Sequence, residues 1–268
     1  MKTEDQKIIF LNSYLPRTGH NFSSQAIKVF SDHQVLSHPH SETRLSNILA
    51  SYYKIFDNTI NHKVDKDFMD LLFINKLRNN ILKESKKEYV MIKDTSVIGV
   101  KDLKRTFPDD IHLILIRDPK NVFNSLIKGM SLKKKSIKSY LKKVGNKTGL
   151  YPWFYSNKLS TKVLKEIPDL SQYLTIRYED LVQKDEKLLW KLKQLFHSKK
   201  SLEQIKKEID EIKVLNSSFF EEVGGEKIWD HKLKTKNFDP INRKSNTWLI
   251  RKGIEIGSRK LRKKLNYI

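Results

Sequence analysis

The chain has 268 residues, of which 38% are hydrophobic and 10% aromatic, so it can build a sizeable core and is not expected to be disordered. It contains no cysteine, which excludes disulfides, thiolate zinc sites and cysteine nucleophiles. Its formal net charge of +22 favours polyanionic partners such as nucleic acid, acidic lipid, acidic polysaccharide or a highly charged nucleotide, although a lysine-rich solvated surface has the same composition.

The first residues, MKTEDQK, are polar and lead directly into an apolar segment, which argues against a signal peptide. No apolar run approaches the roughly 18 residues of a membrane span. The lack of cysteine also fits a reducing compartment. We therefore expect a soluble, cytoplasmic protein.

The first predicted element is a short apolar strand at residues 8–11. A turn that contains Pro16 and Gly19 follows it, and a helical pattern with Phe22 and Phe30 on one face comes after the turn. We call this turn the first loop. A strand, a tight turn with a cation at its tip and a helix N-terminus together make an anion site.

Helical and strand patterns alternate along the rest of the chain. Helices are predicted within 45–56 and 68–77, after residue 119, and over about 185–197 and 201–213; further strands are predicted at 88–92, 111–116 and 172–178. The tail from residue 214 has mixed signals and is predicted to be rich in loops. Strands separated by helices predict an α/β fold with a parallel sheet and right-handed crossovers.

Polar clusters lie at the carboxyl ends of four of these strands. They are the first loop, Lys93-Asp94, Arg117-Asp118 and Arg177-Tyr178. Because ligands of parallel sheets bind at the carboxyl ends of the strands, we expect the four clusters to converge on one edge of the sheet.

The first loop has the chemistry of an anion site. Gly19 lets the backbone turn tightly, and the N–H groups after it lack intrahelical acceptors, so they face an anion together with the positive end of the helix dipole. Arg17 adds a permanent charge with a planar fork of donors, and Thr18, His20 and Asn21 can donate from their side chains. The Walker A pattern GxxxxGK[ST] is absent. Taken alone, the loop is equally compatible with an ordinary connection between a strand and a helix.

The second cluster follows the strand at 111–116. Arg117 ends the strand, Pro119 suits an early helix position, and Ser125 lies about two turns along that helix. An arginine at a strand end and a hydroxyl on the adjacent helix can hold a second phosphate. A loop pair of arginine and aspartate beside a surface serine would give the same pattern.

Together these residues resemble the PAPS-dependent sulfotransferase family. The family's first motif, roughly P-[KR]-[ST]-G-T-T-[WF], is matched by PRTGHNF at 16–22, and its second, R-[DN]-P-[RK] followed by a serine, by RDPK at 117–120 with Ser125. The segment YLTIRYEDLV resembles the family's RYEDL, and order and spacing agree over residues 8–183. The resemblance implies one sulfotransferase domain over 1–268, with a three-layer α/β/α, P-loop-NTPase-like fold around a parallel sheet of about four to five strands.

The resemblance also implies a nucleotide site. The donor would be 3′-phosphoadenosine 5′-phosphosulfate (PAPS), with Arg117 and Ser125 holding its 3′-phosphate. Phe22 occupies the family's adenine-stacking position and Tyr178 matches a residue that contacts adenine, although each has an equally simple interpretation as a packing residue. The 5′-phosphosulfate would be held by the first loop, namely by Arg17, Thr18, Gly19, His20 and Asn21.

A late basic triplet completes the implied nucleotide site. KNFDPINRKSNTW resembles the family segment in which an R-K-G triplet after a proline holds the 3′-phosphate. The matching residues are Arg243-Lys244-Ser245, with serine in place of glycine and a shorter spacing to Trp248. Arg251-Lys252-Gly253 is the alternative, and Pro240 favours the first triplet.

The implied reaction is in-line sulfuryl transfer to a hydroxyl, without a metal. Arg17 would stabilise the charge that develops on the transferred oxygens; many relatives carry a lysine there, which can also protonate a leaving oxygen, whereas arginine stays charged. Lys93 matches a lysine that relatives place near the sulfonate, and it is otherwise an exposed residue at a strand end. The sequence offers no convincing cluster of metal ligands.

The acceptor hydroxyl needs a general base within hydrogen-bond reach. Relatives that act on small phenols and alcohols use a histidine just after the second strand, where this chain has KDTS at 93–96. Carbohydrate-modifying relatives use a glutamate about twenty residues beyond the first loop, where SHPHSETR supplies Glu42. We predict Glu42 as the base, with His40 and Asp94 as its rivals.

The acceptor side carries a lysine-rich stretch at 133–147 and then the aromatic segment YPWFY, whose Trp153 resembles an acceptor-side helix start in relatives. Lysines beside aromatic faces suit an anionic glycan, and they equally suit a solvated face over core aromatics. We expect a carbohydrate or another hydroxyl acceptor.

Two rival functions share some of these features. A nucleotide-dependent phosphotransferase also uses a strand, a loop and a helix, but the P-loop lysine and a magnesium carboxylate are missing from the sequence. A non-enzymatic binder of nucleic acid or another polyanion would explain the charge, but no recognised nucleic-acid motif is present.

Overall fold

The computed structural model describes residues 6–36, 43–57, 65–129, 137–212, 215–223, 226–233 and 246–268. The strands are β1 (Lys7–Ser13), β2 (Gln34–Val35), β3 (Tyr89–Asp94), β4 (Ile111–Ile116), β5 (Leu174–Arg177), β6 (Leu215–Val223) and β7 (Glu226–Leu233). The helices are α1 (His20–Ser31), α2 (Leu45–Asp57), α3 (Lys66–Phe73), α4 (Leu77–Lys83), α5 (Val100–Thr106), α6 (Pro119–Gly129), α7 (Ile137–Thr148), α8 (Leu150–Glu166), α9 (Tyr178–Gln183), α10 (Glu186–Leu195), α11 (Leu202–Asp210), α12 (Trp248–Gly257) and α13 (Arg259–Lys264), with a 3₁₀ turn at Leu170–Gln172.

The first five strands form one parallel sheet in the order β2-β3-β1-β4-β5, which confirms the predicted fold class. From β1 the chain passes to the edge strand β2 and returns to place β3 between β2 and β1, and it then crosses to the other side of β1 to add β4 and β5. The strand order therefore reverses at β1. A reversal of this kind opens a crevice beyond the carboxyl ends of the strands, and the first loop lies at this point.

Helices cover both faces of the sheet, so the strands are apolar on both faces rather than alternating. On one face Leu11 and Leu115 pack against α1, α10 and α11. On the other face Phe10 and Ile92 pack against α2 and α5, and Ile114 packs against α6, α8, α12 and α13. The result is three layers around one sheet.

Several elements differ from the sequence prediction. The two-residue strand β2 and helix α5 were not predicted, and the pattern over 68–77 divides into α3 and α4. β3 continues through Lys93 and Asp94, so both residues belong to the strand itself. The tail holds an antiparallel pair, β6 with β7, and two helices, so the prediction of a loop-rich tail was wrong for these segments.

No helix in the described part of the chain combines the length and the apolar character that crossing a bilayer requires.

Candidate active site

The first loop connects Ser13, the last residue of β1, to His20, the first residue of α1. Gly19 has φ of 113°, a left-handed conformation that costs other residues strain. A Cβ at Gly19 would lie 2.3 Å from Cδ2 of Tyr178. The loop therefore lies directly on the Tyr178 ring, and only glycine fits this approach. Arg17 also has a positive φ, of 72°, which turns the backbone at the tip of the loop.

Two side chains of the first loop point inward. Thr18 is fully buried, and its Oγ1 donates to the carbonyl of Leu15 at 2.6 Å, so the hydroxyl braces the loop. His20 is buried, and burial lowers its pKa to about 4, with the positive charge of Lys93 acting in the same direction. His20 is therefore neutral at pH 7. Asn21 is half-buried in the first turn of α1.

Arginines connect the first loop to the second motif. Nε of Arg17 donates to Oγ of Ser125 at 3.1 Å, and Nη1 of Arg117 donates to the carbonyl of Arg17 at 3.2 Å. The guanidinium of Arg117 lies over the ring of Tyr178, 4.4 Å from its centroid. The structure thus brings two predicted cation positions and one predicted hydroxyl into a single cluster at the carboxyl edge of the sheet.

Two aromatic side chains, Phe22 and Tyr178, pack beneath the first loop and Arg117. Phe22 and Tyr178 pack edge to face with 5.7 Å between ring centroids, and both are more than nine-tenths buried. Tyr178 contacts Gly19, Phe22 and Arg117 at once. Tyr178 therefore sets the position of the first loop and the orientation of the Arg117 guanidinium. This role does not depend on any contact with a ligand.

Residues that sequence reasoning missed hold the backbone at Arg117. The hydroxyl of Tyr14 donates to the Arg117 carbonyl at 2.6 Å. Burial raises the pKa of Tyr14, so the hydroxyl keeps the proton that it donates. The next residue, Asp118, receives Nε and Nη2 of Arg262 at 2.9 and 3.1 Å, and its N–H donates to Glu179 at 2.9 Å. No local pattern in the sequence marks Tyr14 or Arg262.

Lys93 and Asp94 end β3 on opposite faces of the sheet, as the alternation of a strand requires. Both side chains are buried. Lys93 lies near His20 of α1, whereas Oδ2 of Asp94 accepts a hydrogen bond from Oγ of Ser46 in α2 at 2.9 Å. The N–H of Thr43 approaches the Lys93 carbonyl at 3.5 Å. The chain thus returns to the end of β3 immediately after residue 42.

Five predicted site residues lie outside the described residues, namely His40, Glu42, Arg243, Lys244 and Ser245. The neighbour of the late triplet is described. Nδ2 of Asn246 donates to the backbone carbonyl and the side-chain oxygen of Asn124 at 3.1 and 3.0 Å. Asn124 directly precedes Ser125, so Asn246 lies beside the second motif.

The alternative triplet, Arg251-Lys252-Gly253, lies within α12. A Cβ at Gly253 would come 2.2 Å from the carbonyl oxygen of Gly149, because α12 packs closely against the start of α8. Nζ of Lys252 lies 3.6 Å from Glu255 in the next turn. Gly253 therefore serves helix packing, and the late triplet at 243–245 stays the preferred prediction.

Trp153 lies in the first turn of α8 and is 43% exposed. Nζ of Lys142, in α7, lies 5.7 Å from the centroid of the Tyr151 ring. The described part of the lysine-rich stretch is therefore next to the aromatic segment. In the described residues no three His, Asp or Glu side chains come together as metal ligands would.

The sequence matches a known protein family over more than half of its length. The model of a family described as "Sulfotransferase family" matches residues 13–197, which include the first loop, Arg117, Ser125 and Tyr178. No curated protein sequence gave a significant match. Among solved structures, the "Sulfotransferase Domain from the Curacin Biosynthetic Pathway" is 12% identical, with 98% of each chain covered and a TM-score of 0.43. The "Sulfotransferase Domain from the Synechococcus PCC 7002 Olefin Synthase" is 14% identical, with 73% of this chain and 75% of that chain covered and a TM-score of 0.33.

Proposed function

Because the chain belongs to the sulfotransferase family, we propose that it transfers the sulfuryl group of PAPS to a hydroxyl acceptor. One observation carries this proposal. The first loop and the second motif meet through Arg17, Ser125 and Arg117, so two cations and a hydroxyl converge where a helix N-terminus also points. A donor with an anionic group at each end needs two adjacent anion subsites of this kind.

The donor set fits such a nucleotide. Gly19 lets the first loop pack directly on the Tyr178 ring, where a Cβ would clash with that ring, and the N–H groups after Gly19 are at the start of α1. We propose that the first loop from Arg17 to Asn21, with the start of α1, holds the 5′-phosphosulfate. Arg117 and Ser125 hold the 3′-phosphate, with help from the triplet at 243–245. Phe22 and Tyr178 line the adenine side.

Sulfuryl transfer makes a bond between sulfur and the acceptor oxygen and breaks the bond between sulfur and the oxygen of the 5′-phosphate. The product nucleotide is 3′-phosphoadenosine 5′-phosphate (PAP), and the acceptor's proton goes to a base. Arg17 stabilises the negative charge on the transferred and leaving oxygens, and it does so as a fixed cation rather than as an acid. Lys93, buried at the end of β3 near His20, adds a second positive charge at this edge of the sheet.

We propose Glu42 as the base that accepts the acceptor's proton. The residue that follows it, Thr43, lies against the carbonyl of Lys93 at the carboxyl edge of the sheet. Asp94 is the weaker rival, because it is buried and already accepts a hydrogen bond from Ser46. His40 stays the other rival.

We propose a carbohydrate as the acceptor, with anionic glycans as the first class to examine. Aromatic faces pack on sugar rings, and lysines pair with acidic substituents. The exposed Trp153 supplies an aromatic face, and Lys142, which lies beside Tyr151, supplies a cation.

A screen of acceptor classes with ³⁵S-labelled PAPS tests the proposal. Neutral sugars, anionic glycans, simple alcohols, phenols and amines are offered to the wild-type chain and to Arg17→Ala in parallel. Label should enter a hydroxyl compound with the wild type and fall to background with the variant. Labelling of amines alone would contradict the hydroxyl acceptor, and phosphate transfer from ATP without sulfuryl transfer would contradict the enzyme class.

A further inference from the structure

A carboxylate lies next to the arginine proposed to bind the 3′-phosphate. Asp118 directly follows Arg117, and its two carboxylate oxygens accept Nε and Nη2 of Arg262 at 2.9 and 3.1 Å. This is a bidentate pair, and the two side chains are only 12% and 16% exposed. Arg262 comes from α13, so the compensating charge arrives from the last helix of the described chain.

A second contact holds the backbone of the same residue. The N–H of Asp118 donates to Oε1 of Glu179 at 2.9 Å, and Oε2 of Glu179 accepts the hydroxyl of Tyr267 at 2.8 Å. Burial raises the pKa of Tyr267 and the charge of Glu179 raises it further, so the phenol stays protonated and donates. Tyr267 is itself placed by the guanidinium of Arg177, which lies 4.7 Å from the centre of its ring.

These contacts bear on Arg117 in two ways. Tyr14 donates to the Arg117 carbonyl, and Glu179 accepts from the N–H of Asp118. Both ends of the peptide group between Arg117 and Asp118 are therefore held, which fixes the backbone from which the Arg117 side chain extends. A carboxylate without its partner would also repel a phosphate nearby. For two unit charges at about 10 Å and an effective dielectric constant of about 20, that repulsion corresponds to roughly 15-fold to 20-fold in affinity, before screening by salt reduces it.

We propose that Arg262 and Tyr267 are positioning residues for the nucleotide: Arg262 neutralises Asp118, Tyr267 fixes Glu179, and together they hold Arg117 toward the 3′-phosphate. This inference rests on the proposed function, because it takes the anion at Arg117 to be that phosphate. It assigns to α13 and the residues after it a task in binding that no sequence motif indicates.

The test compares PAP with 5′-AMP, which lacks the 3′-phosphate, by isothermal titration calorimetry. Arg262→Ala should lower the affinity for PAP by about tenfold and the affinity for AMP by less than about twofold. Only the 3′-phosphate comes near the uncompensated charge of Asp118. Arg262→Lys should recover part of the loss. The double variant Asp118→Asn with Arg262→Ala should bring the ratio of PAP to AMP affinity back to within about threefold of wild type, because the repelling charge is gone. Lys263→Ala, on an exposed position of the same helix, is the matched control and should change neither ligand.

A purely structural role would weaken PAP and AMP equally in Arg262→Ala and would not be rescued by Asp118→Asn, and either result overturns the inference. Should Arg262→Ala fail to fold, Tyr267→Phe removes a single hydroxyl and carries the test, and an unchanged ratio of PAP to AMP affinity in that variant overturns it. A wild-type chain without preference for PAP over AMP overturns the proposed function and this inference with it. A wild type that prefers PAP while the variants keep the preference overturns the inference alone.

Discussion

Nε of Arg17 lies 3.1 Å from Oγ of Ser125, which joins the first loop to helix α6 across 108 residues of sequence. The contact places the cation at the tip of the loop between the two proposed anion subsites. If the proposed roles hold, Arg17 acts mainly on the transition state, whereas Arg117, stacked on Tyr178, acts mainly on the bound nucleotide.

Arg17→Ala should therefore lower kcat by about a hundredfold or more and change PAP affinity much less, since removal of one preorganised donor has an effect of that size. Arg117→Ala should raise the Kd for PAP more than it lowers kcat. Steady-state kinetics and PAP titration on both variants separate the two effects, with exposed Arg259→Ala as the matched control. Equal losses of both parameters in both variants would contradict the division of roles.

Gly19→Ala should weaken PAP binding by roughly tenfold to a hundredfold, because the left-handed backbone costs about 1–3 kcal/mol for a residue with a side chain. The new Cβ would also meet the Tyr178 ring. Gly145→Ala, in α7 with an ordinary φ, is the control and should leave PAP affinity unchanged. Normal PAP binding by Gly19→Ala would show that the nucleotide does not need the close approach of this loop.

PAP should stabilise the fold against heat. A ligand that binds only the folded chain adds about 2.7 kcal/mol at a concentration of about 100 times its Kd. Differential scanning fluorimetry with PAP, ATP with magnesium, and buffer alone measures the shift in Tm. A rise with ATP and none with PAP would instead favour the phosphotransferase.

Glu42→Gln should leave PAP affinity intact while transfer falls by roughly 10² to 10⁴, the usual range for general-base catalysis. The amide keeps the shape of the side chain and cannot accept the proton. The acidic limb of the pH–rate profile, which reports the base losing its charge, should disappear as well.

His40→Ala and Asp94→Asn, measured in parallel, distinguish the rival bases. A collapse of transfer in either one with near-normal Glu42→Gln would move the base to that residue. A histidine base would place the acidic limb near pH 6.5, against about 4.3 for an unperturbed glutamate. Burial can raise a glutamate toward the same region, so the variants decide.

His20 should make folding stability fall as the pH drops below neutrality. Its pKa is about 4 in the folded chain and about 6.5 when unfolded, so the unfolded chain binds more protons between these values. The free energy of unfolding is therefore highest above about pH 6.5, where His20 is neutral in both states. Through His20 it decreases by about 2 kcal/mol between pH 7 and pH 5. Urea titrations at the two pH values, on wild type and on His20→Gln, should show a smaller decrease in the variant. An identical decrease would assign the pH dependence to other groups such as buried His33.

The sequence was enough to predict the parallel sheet, because β1 and β4 are continuous apolar runs bounded by turn residues. It also predicted that the first loop and the Arg117 cluster would converge, since Arg17 and Arg117 each follow a strand at the same edge and Ser125 lies on the helix after Arg117. It did not predict β2, because two residues hold no periodicity. Arg262 and Tyr267 were beyond reach for another reason: their partners Asp118 and Glu179 are distant in sequence, and long-range pairs leave no local pattern.

The pairing of Asp118 with Arg262 spans 144 residues of sequence. During synthesis the first loop and β4 leave the ribosome long before α13 exists, and loop closure over such a separation is slow. The carboxylate of Asp118 therefore stays without its Arg262 partner until α13 docks. On the proposed roles, nucleotide binding depends on the docking of α13, so PAP should stabilise only chains in which this long-range pair has formed.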